Sequence, residues 1–172
     1  MRKRYYITGV SGTGKTTISK ELNIRGIYAI DQDSREHGLC NWKHNKTKED
    51  AQFKYGIGKE FLEVNDWYCD IKKLKELLDK APDIAFICGV TANQNEYLHL
   101  FDKVFVLQCS EKTLLNRIDT REDNHFGKHP TEKEHILNWY QGLEKGLIDK
   151  GAIPINCEKP VTEIVDEIMN YL

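Results

Sequence analysis

The sequence predicts an α/β fold in three layers, a five-stranded parallel sheet with helices on both faces. Three observations predict it. Short β-like runs alternate with segments of helical period, which marks βαβ units. The runs are continuously apolar, as strands covered on both faces are, where a one-sided sheet would alternate. A glycine-rich turn stands between the first run and the first helical segment. The 172 residues suit one domain over 1–172.

The first strand is Tyr5–Thr8. The basic residues Arg2, Lys3 and Arg4 before it imitate a secretory leader, but the apolar run is too short and glycines and a lysine follow it. An amphipathic helix runs from the glycine-rich turn through Leu22, and a second strand covers Ile27–Ile30. Asp31 to Asp70 is polar, rich in His, Trp and Lys, and weakly periodic. It reads as an inserted or mobile substrate-binding segment, over about 34–70. Ile71, Leu74, Leu77 and Leu78 then form a helical stripe that Ala81-Pro82 ends.

Strands follow at Ile84–Cys88 and Lys103–Leu107. Ser110 is placed to cap a helix carrying Leu114, Leu115 and Ile118. Pro130 opens the longest helix, with Ile136, Leu137, Tyr140, Leu143 and Leu147, and Gly151 closes it. A last strand, Ile153–Asn156, and a helix from Pro160 with Ile164, Val165, Ile168 and Met169 complete the chain.

Composition excludes some functions. Lys+Arg 25 against Asp+Glu 27 leaves a net charge of −2, so no broad basic surface for nucleic acid is expected. The apolar runs are strand-sized and cannot span a bilayer. The five cysteines include no C-x-x-C pair, which suits a reducing cytoplasm.

Gly9-Val10-Ser11-Gly12-Thr13-Gly14-Lys15-Thr16 matches G-x-x-x-x-G-K-[ST] in full, after a strand and before a helix. The glycines let successive N–H groups turn inward on phosphate oxygens, and the helix N-terminus adds its positive dipole end. Gly9, Ser11, Gly12, Thr13, Gly14, Lys15, Thr16 and Thr17 are the expected nucleotide-binding residues. Lys15 would reach the β- and γ-phosphates and the Thr16 hydroxyl would ligate Mg²⁺. Asp31 and Asp33 follow the second strand, and a period of two puts them on one side. One carboxylate can serve the Mg²⁺ shell while the other orients an acceptor hydroxyl.

The P-loop, the Asp-x-Asp after strand two and the pair Arg117 and Arg121 in a late loop resemble the nucleoside-monophosphate-kinase-like small-molecule kinases, a group that includes adenylate, shikimate and gluconate kinases. The resemblance covers essentially the whole chain. It implies strand order 2-3-1-4-5, ATP and Mg²⁺ as cofactors, and a short lid over about 117–130. It also implies Asp31 with Thr16 at the metal, Asp33 at the acceptor, and Arg117 and Arg121 as lid arginines that stabilise transferred charge. Lys15, Asp33, Arg117 and Arg121 are thus the expected catalytic set. Asn124 to Lys128 is similar to the short lid ends of the group, with Lys128 a further cation.

Some features depart from the pattern. The third strand ends in Cys88-Gly89 with no aspartate for Mg²⁺, no Asn-Lys-x-Asp guanine signature occurs, and the acceptor signatures of gluconate and shikimate kinases are absent. Val90 to Asn95 is expected to border the acceptor. Arg35 reads either as an acceptor contact or as a surface arginine. Trp42, Phe53, Tyr55, Trp67 and Tyr68 read as packing before base stacking, and His125, His129 and His135 as solvated lid residues before a metal set.

The expected protein is therefore a cytoplasmic kinase acting on a small-molecule acceptor, with nucleosides or nucleotides ahead of sugar acids. It would need no nucleic acid or membrane, and would be a monomer or homodimer. The alternative is an ATP-binding regulatory or scaffold protein without efficient transfer.

Overall fold

The computed structural model of the chain describes residues 2–172. Its elements are β1 (Lys3–Thr8), α1 (Lys15–Ile24), β2 (Ala29–Asp31), β3 (Cys40–His44), α2 (Lys59–Val64), β4 (Asn65–Cys69), α3 (Ile71–Lys80), β5 (Ile84–Cys88), β6 (Lys103–Gln108), α4 (Glu111–Thr120), α5 (Pro130–Ile148), β7 (Ile153–Asn156) and α6 (Val161–Met169). Two single-turn 3₁₀ helices lie between β5 and β6. The main sheet is parallel, with order β2-β5-β1-β6-β7. Counted among the five strands of that sheet, this is the expected 2-3-1-4-5.

Both faces of the sheet are buried, which is why its strands read as unbroken apolar runs. Along β1, Tyr5 and Ile7 enter the core under α1, α4 and α6. Tyr6, between them, enters a second core with Leu74 and Leu78 of α3. Phe86 and Cys88 of β5 join the first core while Ile87 joins the second.

Helix ends follow the expected chemistry. Ser110 Oγ accepts from Thr113 N, and the Asp70 carboxylate accepts from Lys73 N at the start of α3. The end of α3 is closed from afar. Arg4, only 7% exposed, donates to the carbonyls of Leu78 and Pro82, each at 2.8 Å. A cation on the last carbonyls of a helix complements its dipole. Arg4, among the basic N-terminal residues, thus has a structural task within β1.

β1 begins earlier than in the sequence reading, at Lys3, and β6 ends one residue later, at Gln108; two further differences have a physical reason. β2 begins at Ala29 because Ile27 belongs to the end of α1. Gly26 turns through φ +76, Gly26 N bonds Asn23 O, and Ile27 N bonds Leu22 O. That is a helix-closing arrangement in which the residue after the glycine packs back on the helix. The second difference is larger. Within the segment expected to be inserted or mobile, β3 and β4 form an antiparallel hairpin, with α2 leading into β4. Its strands, CNWKH and NDWYC, carry no apolar run longer than Trp67–Cys69, so periodicity did not mark them.

Candidate nucleotide and acceptor site

The C-terminal edge of the sheet carries a cleft of about 480 Å³, where ligands of open α/β sheets gather. Ser11 to Gly14 form one wall, continued by Lys15, Thr16 and Thr17, while Gly9 is buried beneath it and does not line the cleft. Gly9, Gly12 and Gly14 all have positive φ. A Cβ on Gly9 would lie 2.7 Å from Thr13 Oγ1, so this position admits no side chain. Thr13 in turn donates to Val10 O at 2.9 Å and pins the loop. Gly14 is the N-cap of α1 and brings no side-chain acceptor, which leaves the first-turn N–H groups for a ligand.

Lys15 is 7% exposed and its Nζ donates to Gly9 O at 2.7 Å and Val10 O at 3.1 Å. Burial lowers its pKa, and the carboxylates of Asp33 and Asp31 oppose that shift. Thr16 Oγ1 donates to Asp31 Oδ2 at 2.6 Å, so the two expected metal-side oxygens are already together. Both are hard oxygen donors, and Mg²⁺ characteristically takes a few of these beside phosphate and water. The pair fits that ion with phosphates completing the shell.

Asp33 lines the cleft, and its Oδ1 accepts from Trp67 Nε1 at 2.9 Å. Burial raises its carboxyl to about 6, against the Lys15 charge and the Trp67 hydrogen bond, which pull it down.

Arg117 and Arg121 both reach the cleft, but from the end of a helix and the residue after it, not together from a late loop. Arg117 lies in the last turn of α4 and donates to Cys157 O at 2.7 Å. Arg121 is the residue after that helix, with ψ 145, and the turn sends it over the P-loop. Its guanidinium donates to Ser11 Oγ at 3.1 Å and to Phe126 O, and its Nε has no partner among the described residues. The nearby carboxylate of Asp119 pairs instead with Lys133. Lys128 is exposed and lies outside the cleft wall.

The other expectations divide. Thr91, Asn93 and Gln94 are buried in structural bonds and do not offer themselves to an acceptor. Asn93 bonds Cys69 N and O at 2.9 and 3.0 Å, and Thr91 meets Tyr97 OH at 2.7 Å. Arg35 is exposed. Trp42 packs on Phe53, Phe61, Trp67 and Phe126, so these rings form a small half-buried cluster between hairpin and lid, whereas Tyr55 is exposed and Tyr68 lies under the Lys48 ammonium. His135 packs between Phe126 and Trp139, half-buried, where burial lowers its pKa.

Some residues were not singled out from sequence. Cys157, Lys159, Val161 and Ile164 line the far end of the cleft. Their signal was their place after the last strand, at the ligand-binding edge of the sheet. Glu132, fully buried, accepts from Gly56 N and Gly127 N, each at 2.8 Å, and so joins the 34–70 segment to the lid turn. Nothing local marks it.

The absent aspartate after β5 has a steric reason. A Cβ on Gly89 would lie 2.5 Å from Gln32 Oε1 and 2.6 Å from Gln32 Cβ. Gln32 is fully buried and held by Tyr6 OH at 2.8 Å and Tyr97 OH at 3.1 Å. Gly89→Asp is therefore expected to destabilise by about 1–3 kcal/mol, read as a lower urea midpoint. A variant as stable as the parent would mean that Gln32 moves freely.

Fold and site together define a P-loop α/β protein with the architecture of the nucleoside-monophosphate-kinase-like small-molecule kinases. A family profile described as an AAA domain matches residues 6–138, and the chain belongs to that family. Similar solved structures include a deoxyadenosine kinase from M. mycoides with bound dATP, at TM-score 0.63 and 19% identity, covering 99% of this chain and 98% of that one. A shikimate kinase from Aquifex aeolicus has TM-score 0.58 and 20% identity, over 98% and 94% of the two chains. A gluconokinase from Sinorhizobium meliloti 1021 has TM-score 0.54 and 17% identity, over 99% and 92%. These likenesses establish the shared fold. No curated protein sequence matches. Among the described residues no helix is long and apolar enough to cross a membrane.

Proposed function

We propose that the protein is an ATP- and Mg²⁺-dependent kinase that transfers the γ-phosphoryl group to a hydroxyl of a small, uncharged metabolite, with nucleosides the leading class. One observation carries the reading. Lys15, the uncapped start of α1, the Thr16–Asp31 pair and Asp33 all meet at the same cleft edge. A phosphate binder alone has no use for the second carboxylate.

In this reading the loop N–H groups and Lys15 hold the phosphates. Thr16 and Asp31 would hold Mg²⁺, which would supply charge neutralisation to the phosphates. Asp33 accepts the hydrogen bond of the acceptor hydroxyl and orients it for attack. Arg117 and Arg121 stabilise charge spread over the moving phosphoryl oxygens. The kinases with the same fold support transfer to a small metabolite.

The preference for an uncharged acceptor comes from the cations of the 34–70 segment. Lys43 pairs with Asp50 and Lys59 with Glu134, and Lys48 donates to Asn45 O and Tyr68 OH. Arg35, Lys46 and Lys54 are exposed, and none of the six lines the cleft. Lys15, Arg117 and Arg121 line the cleft but serve the phosphates of ATP in this reading, so an acceptor carboxylate or phosphate would meet Asp33 with no cation from the 34–70 segment to offset it.

The test is ATP consumption with Mg²⁺ across nucleosides, nucleoside monophosphates, shikimate and sugar acids. At least one nucleoside is expected to stimulate turnover above the water background, and Asp33→Asn to lower that stimulated rate by about 10²–10⁴-fold. Hydrolysis at one rate with and without every acceptor would overturn transfer in favour of a nucleotide-dependent binder.

A further inference from the structure

We infer that Trp67 is a positioning residue for Asp33, fixing through its indole N–H the carboxylate that meets the acceptor hydroxyl. The inference rests on the phosphoryl-transfer reading above and adds a residue from outside the P-loop and lid to that site. Trp67 lies in β4, and its Nε1 donates to Asp33 Oδ1 at 2.9 Å across 34 residues of sequence.

The hairpin holds this indole firmly. Asp70 N bonds Leu39 O and Asn45 N bonds Val64 O, so the hydrogen-bonded pairs of the ladder fall on odd residues of β3. Trp42 and Trp67 therefore form a pair without mutual backbone bonds, in which side chains approach most closely. Their ring centroids are 5.8 Å apart. On the opposite edge of β4, Ala92 N bonds Trp67 O at 2.9 Å, and Asn93 clasps both backbone groups of Cys69. The indole is thus fixed from the β3 side by a ring and from the β5 side by backbone.

Chemistry favours tryptophan here. Its N–H only donates, so it cannot take the acceptor proton from Asp33. Its two side-chain torsions leave little freedom once the ring is packed. A carboxylate anchored through one oxygen keeps a defined orientation, and catalytic groups must be held to within about 0.5 Å.

Trp67→Phe keeps a ring against Trp42 and removes the donor. The acceptor-stimulated kcat is expected to fall on the order of 10- to 100-fold, with KM for ATP and the melting midpoint close to those of the parent. An unchanged kcat, or a fall matched by equal losses in ATP affinity and stability, would overturn the positioning role. A second measurement needs no turnover. The three tryptophans give three indole N–H resonances in ¹⁵N-labelled protein. Asp33→Ala should shift the same resonance that Trp67→Phe removes, and failure to do so overturns the contact. If the two variants agree on that resonance but wild-type protein shows no acceptor-stimulated turnover, the contact stands and the transfer role falls with the kinase reading.

Discussion

Lys15→Ala is expected to abolish acceptor-dependent ATP consumption, by about 10³-fold or more. The ammonium is the cation at the head of α1, and it sits on the Gly9 and Val10 carbonyls of the loop that would cradle the phosphates. Transferring phosphoryl oxygens gain much of their stabilisation from such a fixed charge in a water-poor site. The alanine variant opens those carbonyls to water at the cleft, so the fold should survive. Lys15→Arg should not restore the rate, because a planar guanidinium is bulkier than the buried ammonium it replaces. ATP consumption with the stimulating acceptor and a thermal melt on the same sample check this. Full activity in the alanine variant would sink the phosphoryl-transfer assignment.

Glu132→Ala is expected to cost about 2–4 kcal/mol of stability, the scale for leaving two buried N–H groups unpaired. The side chain is fully buried, and its two oxygens take the N–H groups of Gly56 and Gly127 from separate segments. Gly127 has no room to adjust. Its φ is +93, and a Cβ there would lie 2.6 Å from Ile136 Cδ1. For a chain of this size the loss corresponds to a midpoint lowered by roughly 4–16 °C. Glu132→Gln should recover only part, since its amide nitrogen would face an N–H donor where an oxygen now accepts. Differential scanning calorimetry distinguishes these outcomes. An alanine variant melting with the parent would mean that water replaces the carboxylate.

The kinship of the main sheet was legible because its physics is local. Buried parallel strands must be apolar on both faces, and Tyr5, Tyr6 and Ile7 enter two cores from consecutive positions. The P-loop was legible because its glycines answer a backbone demand, as the contact a Gly9 Cβ would make with Thr13 shows. The helix cap at Ser110 was readable because the side chain and the N–H it accepts from lie three residues apart, and the structure adds a cap of the same spacing at Asp70. The hairpin was less legible. Trp42 and Trp67 are among its few large apolar residues, and they pair only once the strands fold against each other.

The sequence by itself determined the α/β class, the phosphate-binding loop, the two carboxylates after the second strand and the helices outside the 34–70 segment with their signals. All of these follow from backbone conformation and short-range spacing. Tertiary structure alone decided which polar groups are spent on the fold and which remain for chemistry. It assigned Thr91, Asn93 and Gln94 to the interior, set Gln32 where an aspartate at 89 would stand, and brought Trp67 to Asp33 and Glu132 to Gly56 and Gly127. The physical reason is that hydrogen bonds and steric exclusions are set by distance in space: the hydrogen-bonded partners lie 34, 76 and 5 residues apart and the Gln32–Gly89 exclusion spans 57, where even the short separation spans a turn and a helix start that no local rule connects.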